Sequence, residues 1–221
     1  MNLRDISQQL EAELSKLFEE LRSGIAARED SRAFGAMIED RIKRNWKSIC
    51  SQCGVEPIPI PGKKTIYDFG FKMDGRIVGV DAKTKDVDSK KYSDGGICSV
   101  RNLLKFLVSD QGQFIIAEFG HKLSAKGAKK RDLEYIRVAP FTMLPARAYR
   151  IENLGTGQLR LDCTINEVWN EVAWSRDIKK FYNLFTVLAM QHYRKVGQVA
   201  QQRLKSMESF QQSGYAQFKL K

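Results

Sequence analysis

The sequence predicts an α/β fold in which a mixed β-sheet is flanked by helices and followed by a long C-terminal helix. Three observations carry this expectation. Amphipathic stretches with helical spacing occupy both ends of the chain. A hairpin signal stands at about 65–84. A continuous apolar run from Gln113 to Phe119 has the composition of a strand covered on both faces. The order of helices, hairpin, helix, strand, strand, helix is that of a mixed sheet layered with helices. At 221 residues the chain is expected to be one domain, spanning 1–221.

Taken in order, Ile6, Leu10, Leu14, Leu17, Phe18 and Leu21 recur at helical spacing and predict a helix over 5–28, within an N-terminal segment 1–30. Phe34, Met37, Ile38, Ile42 and Trp46 predict a second over 31–49, which opens a central core segment, 31–140. Pro57, Pro59, Pro61 and Gly62 break the chain into an extended loop. Residues 86–96 read as a polar loop, and 99–109 as a short helix capped by Ser99. After the apolar strand come a basic loop, 124–132, and a strand at 134–138. A small β-meander is expected over 147–165, turned at Gly155-Thr156-Gly157. A long helix over 175–207 follows from Ile178, Phe181, Leu184, Phe185, Leu188, Tyr193, Val196 and Val199, with a loose tail from Ser209.

The hairpin is the most informative segment. Its arms, Tyr67 to Phe71 and Val78 to Lys83, flank Asp74-Gly75, a strong signal for a two-residue type I′ turn. That turn pairs Met73 with Arg76, so Asp68 faces Asp81 and Gly70 faces Gly79. Tyr67, Phe69 and Phe71 then share an apolar face with Val78, Val80 and Ala82, while Asp68, Asp81 and Lys83 share the other. Like charges directly opposed destabilise a sheet, so two facing carboxylates call for a compensating charge. A divalent cation such as Mg²⁺ supplies it, held by Asp68, Asp81 and the carbonyl of Ala82, with Lys83 placed to position a water or stabilise charge on a phosphate. The opposed glycines predict a hollow beside the carboxylates that a ligand or backbone could approach.

The net charge of +11 points to a polyanionic partner, nucleic acid before membrane surface. No apolar run approaches the roughly 18 to 20 residues of a membrane span, and the N-terminus lacks the apolar stretch of a signal peptide, so a cytoplasmic protein is expected. Cys50-Ser51-Gln52-Cys53 has no second ligand pair at zinc spacing, so Cys50, Cys53, Cys98 and Cys163 are expected to be ordinary reduced thiols. Lys85, Lys90, Lys91, Ser99, Arg101, Asn102 and Lys105, just past the hairpin, form one expected nucleic-acid-facing cluster. Lys126, Lys129, Lys130 and Arg131 form a second, read as a phosphate-gripping loop.

At Tyr67-Asp68 and Asp81-Ala82-Lys83 the chain resembles the PD-(D/E)XK nucleases, although the proline of the motif is missing. The resemblance implies a restriction-endonuclease-like fold, Asp68 and Asp81 as metal ligands and Lys83 as the catalytic lysine. It also matches Gly35 and Glu39 to the family's helix glutamate, implying Glu39 as a further catalytic and metal-binding member. Within the family the chain looks most like a type II restriction endonuclease. That implies a prokaryotic homodimer cutting both strands of double-stranded DNA with Mg²⁺, or Mn²⁺ as substitute, beside a cognate DNA methyltransferase that is not a bound subunit. Two alternatives share the observations: a structure-selective repair or junction nuclease, and a non-catalytic basic nucleic-acid-binding module.

Overall fold

The computed structural model describes residues 2–19, 31–60, 62, 65–89, 96–123, 131–152 and 157–218. The chain forms two compact units, Met1–Ile178 and Lys179–Lys221. Where the sequence suggests one domain ending in a helix, that helix makes up the second unit.

The first unit is mixed α/β. Helix α1, Leu3–Leu17, is capped by Asn2, whose side chain accepts from the backbone of Asp5. It ends earlier than the expected residue 28. Phe18 leaves the helical conformation as the C-cap and buries its ring edge-on against Phe119, 5.4 Å away; residues 20–28 lie outside the described residues. Helix α2, Ser31–Gln52, buries Phe34, Ile38, Ile42 and Trp46 along one stripe, as its spacing predicts. It stops in a Schellman turn: Gly54 takes φ +65°, the Val55 amide donates to Cys50 and the Gly54 amide to Ser51.

Strands β1 (Glu56–Pro57), β2 (Phe69–Met73), β3 (Arg76–Asp86), β5 (Gln113–Leu123) and β6 (Arg131–Pro140) form a five-stranded sheet in the order β1-β2-β3-β5-β6. Only β3 and β5 run parallel, so the sheet is mixed. Strand β4 (Gly96–Ser99) joins β8 (Gln158–Leu161) and β7 (Tyr149–Glu152) in a second, three-stranded sheet. The meander is thus present, with β4 added at the junction of the expected loop, 86–96, and the expected helix, 99–109. Helix α3, Val100–Leu104, follows β4, and its last turn widens into a π-helical turn over Lys105–Ser109. Strands β5 and β6 outrun their predicted ends by pairing with each other through Leu123 and Arg131.

The register read from the turn holds: Phe69 pairs with Val80, Gly70 with Gly79 and Met73 with Arg76. Asp74 and Gly75 both take positive φ, 51° and 75°, as a type I′ turn requires. Phe69, Phe71, Val78, Val80 and Ala82 join α1, α2, Ile115, Ala117 and Phe119 in one core.

Tyr67 departs from the expectation. Strand β2 begins only at Phe69, so Tyr67 escapes the strand alternation and folds its ring over the glycine pair. A Cβ on Gly79 would meet the ring at 2.5 Å, and one on Gly70 would meet the Ile58 side chain at 2.6 Å. The hollow expected there is filled. Gly79→Ala should therefore destabilise the fold by about 1–3 kcal/mol, because the obstructing atoms are the base of the tyrosine and cannot swing away. Urea unfolding checks this, and an unchanged midpoint would show that Tyr67 does not occupy the space.

On the other side of the sheet, rings run from Tyr67 to Phe106, Phe114, Phe141 and Tyr149 at centroid distances of 5.5, 6.5, 6.2 and 4.9 Å. They tie α3 and the second sheet to the central strands.

The second unit is essentially helix α4, Ile178–Phe218, counted from its first residue. It runs past Ser209, where a loose tail was expected. Phe181 and Phe185, one turn apart, stack at 5.2 Å. Among the described residues no helix is long and apolar enough to cross a membrane.

Candidate active site

Asp81 lies in β3, the middle strand of the five, with neighbours on both sides. That position buries it to 3% exposure. Its Oδ1 accepts from Lys83 Nζ at 2.9 Å, two residues along the same face. Its Oδ2 is buried and has no hydrogen-bond partner. Burial raises the Asp81 pKa well above the ordinary carboxylate value; Lys83 opposes the rise and Asp68 adds to it.

Asp68 sits just before β2. Its amide donates to the Val80 carbonyl at 3.0 Å, and its Oδ2 accepts from the Ala82 amide at 2.9 Å. The carboxylate is thereby pinned to the residue between Asp81 and Lys83. For Lys83, burial works against the charge, but Asp81, then Asp68 and Glu39, raise its pKa above the ordinary lysine value. Lys83 is a cation at any physiological pH, and its charge is matched by the acids around it.

Glu39 comes to the same place from α2, with its side chain at the exposed rim. The protein packed around its carboxyl, then the Asp68 charge, raise its pKa, while Lys83 lowers it. Gly35, one turn earlier, lies where a Cβ would come within 3.1 Å of the Thr84 hydroxyl, so the helix approaches β3 closely here. Asp68 and Glu39 line a cleft of about 390 Å³ together with Lys43, Thr65 and Tyr67. The structure therefore brings Asp68, Asp81, Ala82, Lys83 and Glu39 together.

Sequence reasoning missed Lys43. It is exposed and sits one turn after Glu39 on the same face of α2, a spacing of four that could have marked it.

Among the described residues no group of three or more His, Cys, Asp or Glu side chains stands ready to hold a metal ion. The site offers a carboxylate pair instead. Mg²⁺ is commonly held by one or two carboxylates, retained waters and substrate phosphates rather than by an all-protein cage. Asp68 and Asp81 fit that pattern, and the partnerless buried Oδ2 of Asp81 is the atom such an ion would satisfy.

The residues expected to face DNA divide three ways. Arg101, Asn102 and Lys105 are exposed, and the Ser99 hydroxyl accepts from the Asn102 amide at 3.2 Å, capping α3. Lys85 and Arg131 turn inward, at 7% and 5% exposure. Lys85 shares the face of β3 that carries Asp81 and Lys83. Arg131 opens β6 rather than ending a loop, bonding Asp86 at 2.8 Å and His121 at 2.9 Å. Although burial works against it, the Arg131 guanidinium holds the Asp86 carboxyl below its ordinary value. Lys90, Lys91, Lys126, Lys129 and Lys130 lie outside the described residues.

The four cysteines are free and buried. Burial pushes Cys50 up to about 12 and Cys53 to about 11, which disfavours the thiolate at neutral pH.

A second buried acid lies beside the site. Glu118 in β5 pairs in register with Lys83. It accepts from Tyr135 at 3.0 Å and from the Ile165 amide at 2.8 Å. Burial raises its pKa to about 7, against those two bonds. An unfolded Glu titrates near 4.3, so between about pH 4 and 7 the folded state binds more protons than the unfolded one. Stability from this group is therefore greatest at acid pH, falls as pH rises through that window and levels off above it, by on the order of 3 kcal/mol in total. Glu118→Gln keeps an acceptor and removes the titration. Its melting temperature relative to the parent should climb between pH 5 and 8; a constant difference would acquit Glu118.

No protein-family model matches the sequence, and neither does any curated protein.

Proposed function

We propose that this chain is a Mg²⁺-dependent DNA endonuclease of the PD-(D/E)XK kind, on a restriction-endonuclease-like fold, acting as a type II restriction enzyme. The observation that carries the reading is the end of one hairpin. Asp68 and Asp81 converge there with Lys83, Glu39 stands at the rim, and one carboxylate oxygen is buried without a partner. A structural ion pair alone leaves that oxygen unexplained.

The protein residues have separable roles. Asp68, Asp81 and the Ala82 carbonyl would hold the ion. When bound, it would polarise the scissile phosphate and acidify a water. Asp68, locked to the Ala82 amide, keeps the two strands at fixed spacing. Lys83, fully protonated, offers a compact charge to the oxygens of the five-coordinate phosphorus as water adds and the 3′ oxygen leaves. Glu39, at the rim, would accept a hydrogen bond from that water. Lys43, Arg101, Asn102 and Lys105 are the exposed groups available to the DNA backbone and base edges. A homodimer in the prokaryotic cytoplasm, paired with a separate methyltransferase, completes the proposal.

Incubation of plasmid DNA with the protein and Mg²⁺ tests it. Discrete fragments are expected. Cutting confined to branched or damaged DNA would reassign the site to a structure-selective nuclease. Binding without cutting under any divalent metal would make the chain a non-catalytic binding module.

A further inference from the structure

The chain's charge is unevenly placed. Residues 179–221 hold eight basic residues and one acidic residue, so this fifth of the sequence carries +7 of the total +11. In the first unit many cations are already neutralised: Lys16, Arg44, Lys72, Lys83, Lys122, Arg131, Arg137, Arg147, Arg150 and Arg160 all sit in ion pairs. On α4, Lys179, Arg194, Lys195, Arg203 and Lys205 are all exposed, and among the described residues none of them forms an ion pair.

Helical geometry places several of these cations together. At about 100° per residue, Lys179, Arg194 and Lys205 project within an arc of about 80°. They spread over about 39 Å of helix from Lys179 to Lys205. That length matches about 11 base pairs of duplex, a polyanion with one charge per roughly 1.7 Å of axis.

We propose that the basic face of α4 is a docking surface for the phosphate backbone of nucleic acid, separate from the carboxylate site. The inference shares with the proposed function its nucleic-acid partner and nothing of its chemistry. A second copy of the chain is a poor occupant, because two such faces repel. An anionic membrane fits less well too. An interfacial helix keeps its apolar residues on one face and its cations on the other. Here exposed Val187 projects in the direction of Lys205, five turns away, and exposed Met190 lies between Lys179 and Arg194.

The test uses the full chain, a fluorescein-labelled 30-base-pair duplex and EDTA, with anisotropy read across a series of KCl concentrations. Each phosphate contact contributes about 0.9 to the slope of log affinity against log salt. The triple variant Lys179→Gln, Arg194→Gln, Lys205→Gln should lose about 2 to 3 from that slope, while Arg203→Gln, on the opposite side of the helix, should leave it unchanged. Gln is a good helix former, and matching circular dichroism verifies that α4 persists. Two outcomes overturn the proposal. One is an unchanged slope in the triple variant, whether or not its binding to phosphatidylglycerol vesicles or its sedimentation changes. The other is an Arg203→Gln loss as large as the per-residue loss of the triple variant. Because EDTA removes any metal, this result is independent of plasmid cleavage, so the surface and the nuclease reading fail separately.

Discussion

Asp81→Ala is expected to lower Mg²⁺-dependent cleavage of plasmid DNA by three orders of magnitude or more, and Lys83→Ala by about 10²–10³-fold. The ordering follows from the geometry. Asp81 supplies the only buried carboxylate oxygen of the site that lacks a partner among the described residues, and it also holds Lys83 in place at 2.9 Å. Losing Asp81 removes a proposed ion ligand and releases the lysine. Losing Lys83 removes one cation but leaves both carboxylates. Asp68→Ala should resemble Asp81→Ala, because it frees the Ala82 amide as well as removing the second proposed ligand. Glu39→Gln should cost less, since Glu39 lies at the rim. Initial rates of supercoil loss at saturating Mg²⁺ measure all four. Full activity in both Asp81→Ala and Lys83→Ala would mean that the chemistry lies elsewhere, whatever the chain cuts. Folding must be checked alongside, because Asp81→Ala removes the carboxylate that the partly buried Lys83 ammonium is bonded to. Asp81→Asn, which keeps shape and an acceptor, separates lost chemistry from lost fold.

Trp46→Ala should be the most damaging single change to stability. The indole is 2% exposed and packs on Phe69 and Phe71 at 5.2 and 6.3 Å. It also donates to the Gly70 carbonyl at 2.9 Å, across the helix–sheet interface. Truncation opens a large cavity, worth about 3–5 kcal/mol, and removes one of two hydrogen bonds on the Gly70 carbonyl, worth about 1 more, while the Ile58 amide still donates to it. Against a typical stability of about 5–15 kcal/mol, this is close to unfolding. The melting temperature should fall by roughly 10 °C or more. Trp46→Phe keeps most of the packing and should lose little beyond the hydrogen bond. A loss below about 1 kcal/mol in Trp46→Ala would contradict the packing described, since large aromatic truncations in a close-packed core cost several times that. The same residue bears on the site: it holds β2, and Asp68 is the residue immediately before that strand. Cleavage should therefore decline in Trp46→Ala well below its melting temperature.

Two locally specified features were legible in the residues. Asp74-Gly75 can turn only one way between such strands, and that turn dictated every pairing from Phe69–Val80 to Met73–Arg76. The apolar stripe Phe34, Ile38, Ile42 and Trp46 likewise named its own buried face. Both signals work over a few residues, where sequence spacing is spatial spacing. Tyr67 shows where such reasoning stops. Alternation put it in the core layer, but alternation holds only inside a strand, and β2 starts two residues later. The tail beyond Ser209 failed for a similar reason. Its polar composition suggested looseness, yet no proline interrupts it and α4 continues to Phe218.

What the sequence by itself determined is the chemical inventory of the site and the face it occupies: Asp68, Asp81 and Lys83, brought together by one turn and the two-residue period of a strand. What only the tertiary structure decided is depth and company. Asp81 is buried because β3 lies between β2 and β5, and the parallel partner β5 is more than thirty residues away in sequence. Lys85 and Arg131 turn inward because β3, β5 and β6 pair farther than their local patterns indicate. Burial is set by long-range pairing, and no window of a few residues contains that information. The charge on α4 is the converse case. Its residues are plain in the sequence, but only the folded chain shows which cations of the first unit are taken up in ion pairs and that Lys179, Arg194, Lys195, Arg203 and Lys205 on this helix are exposed.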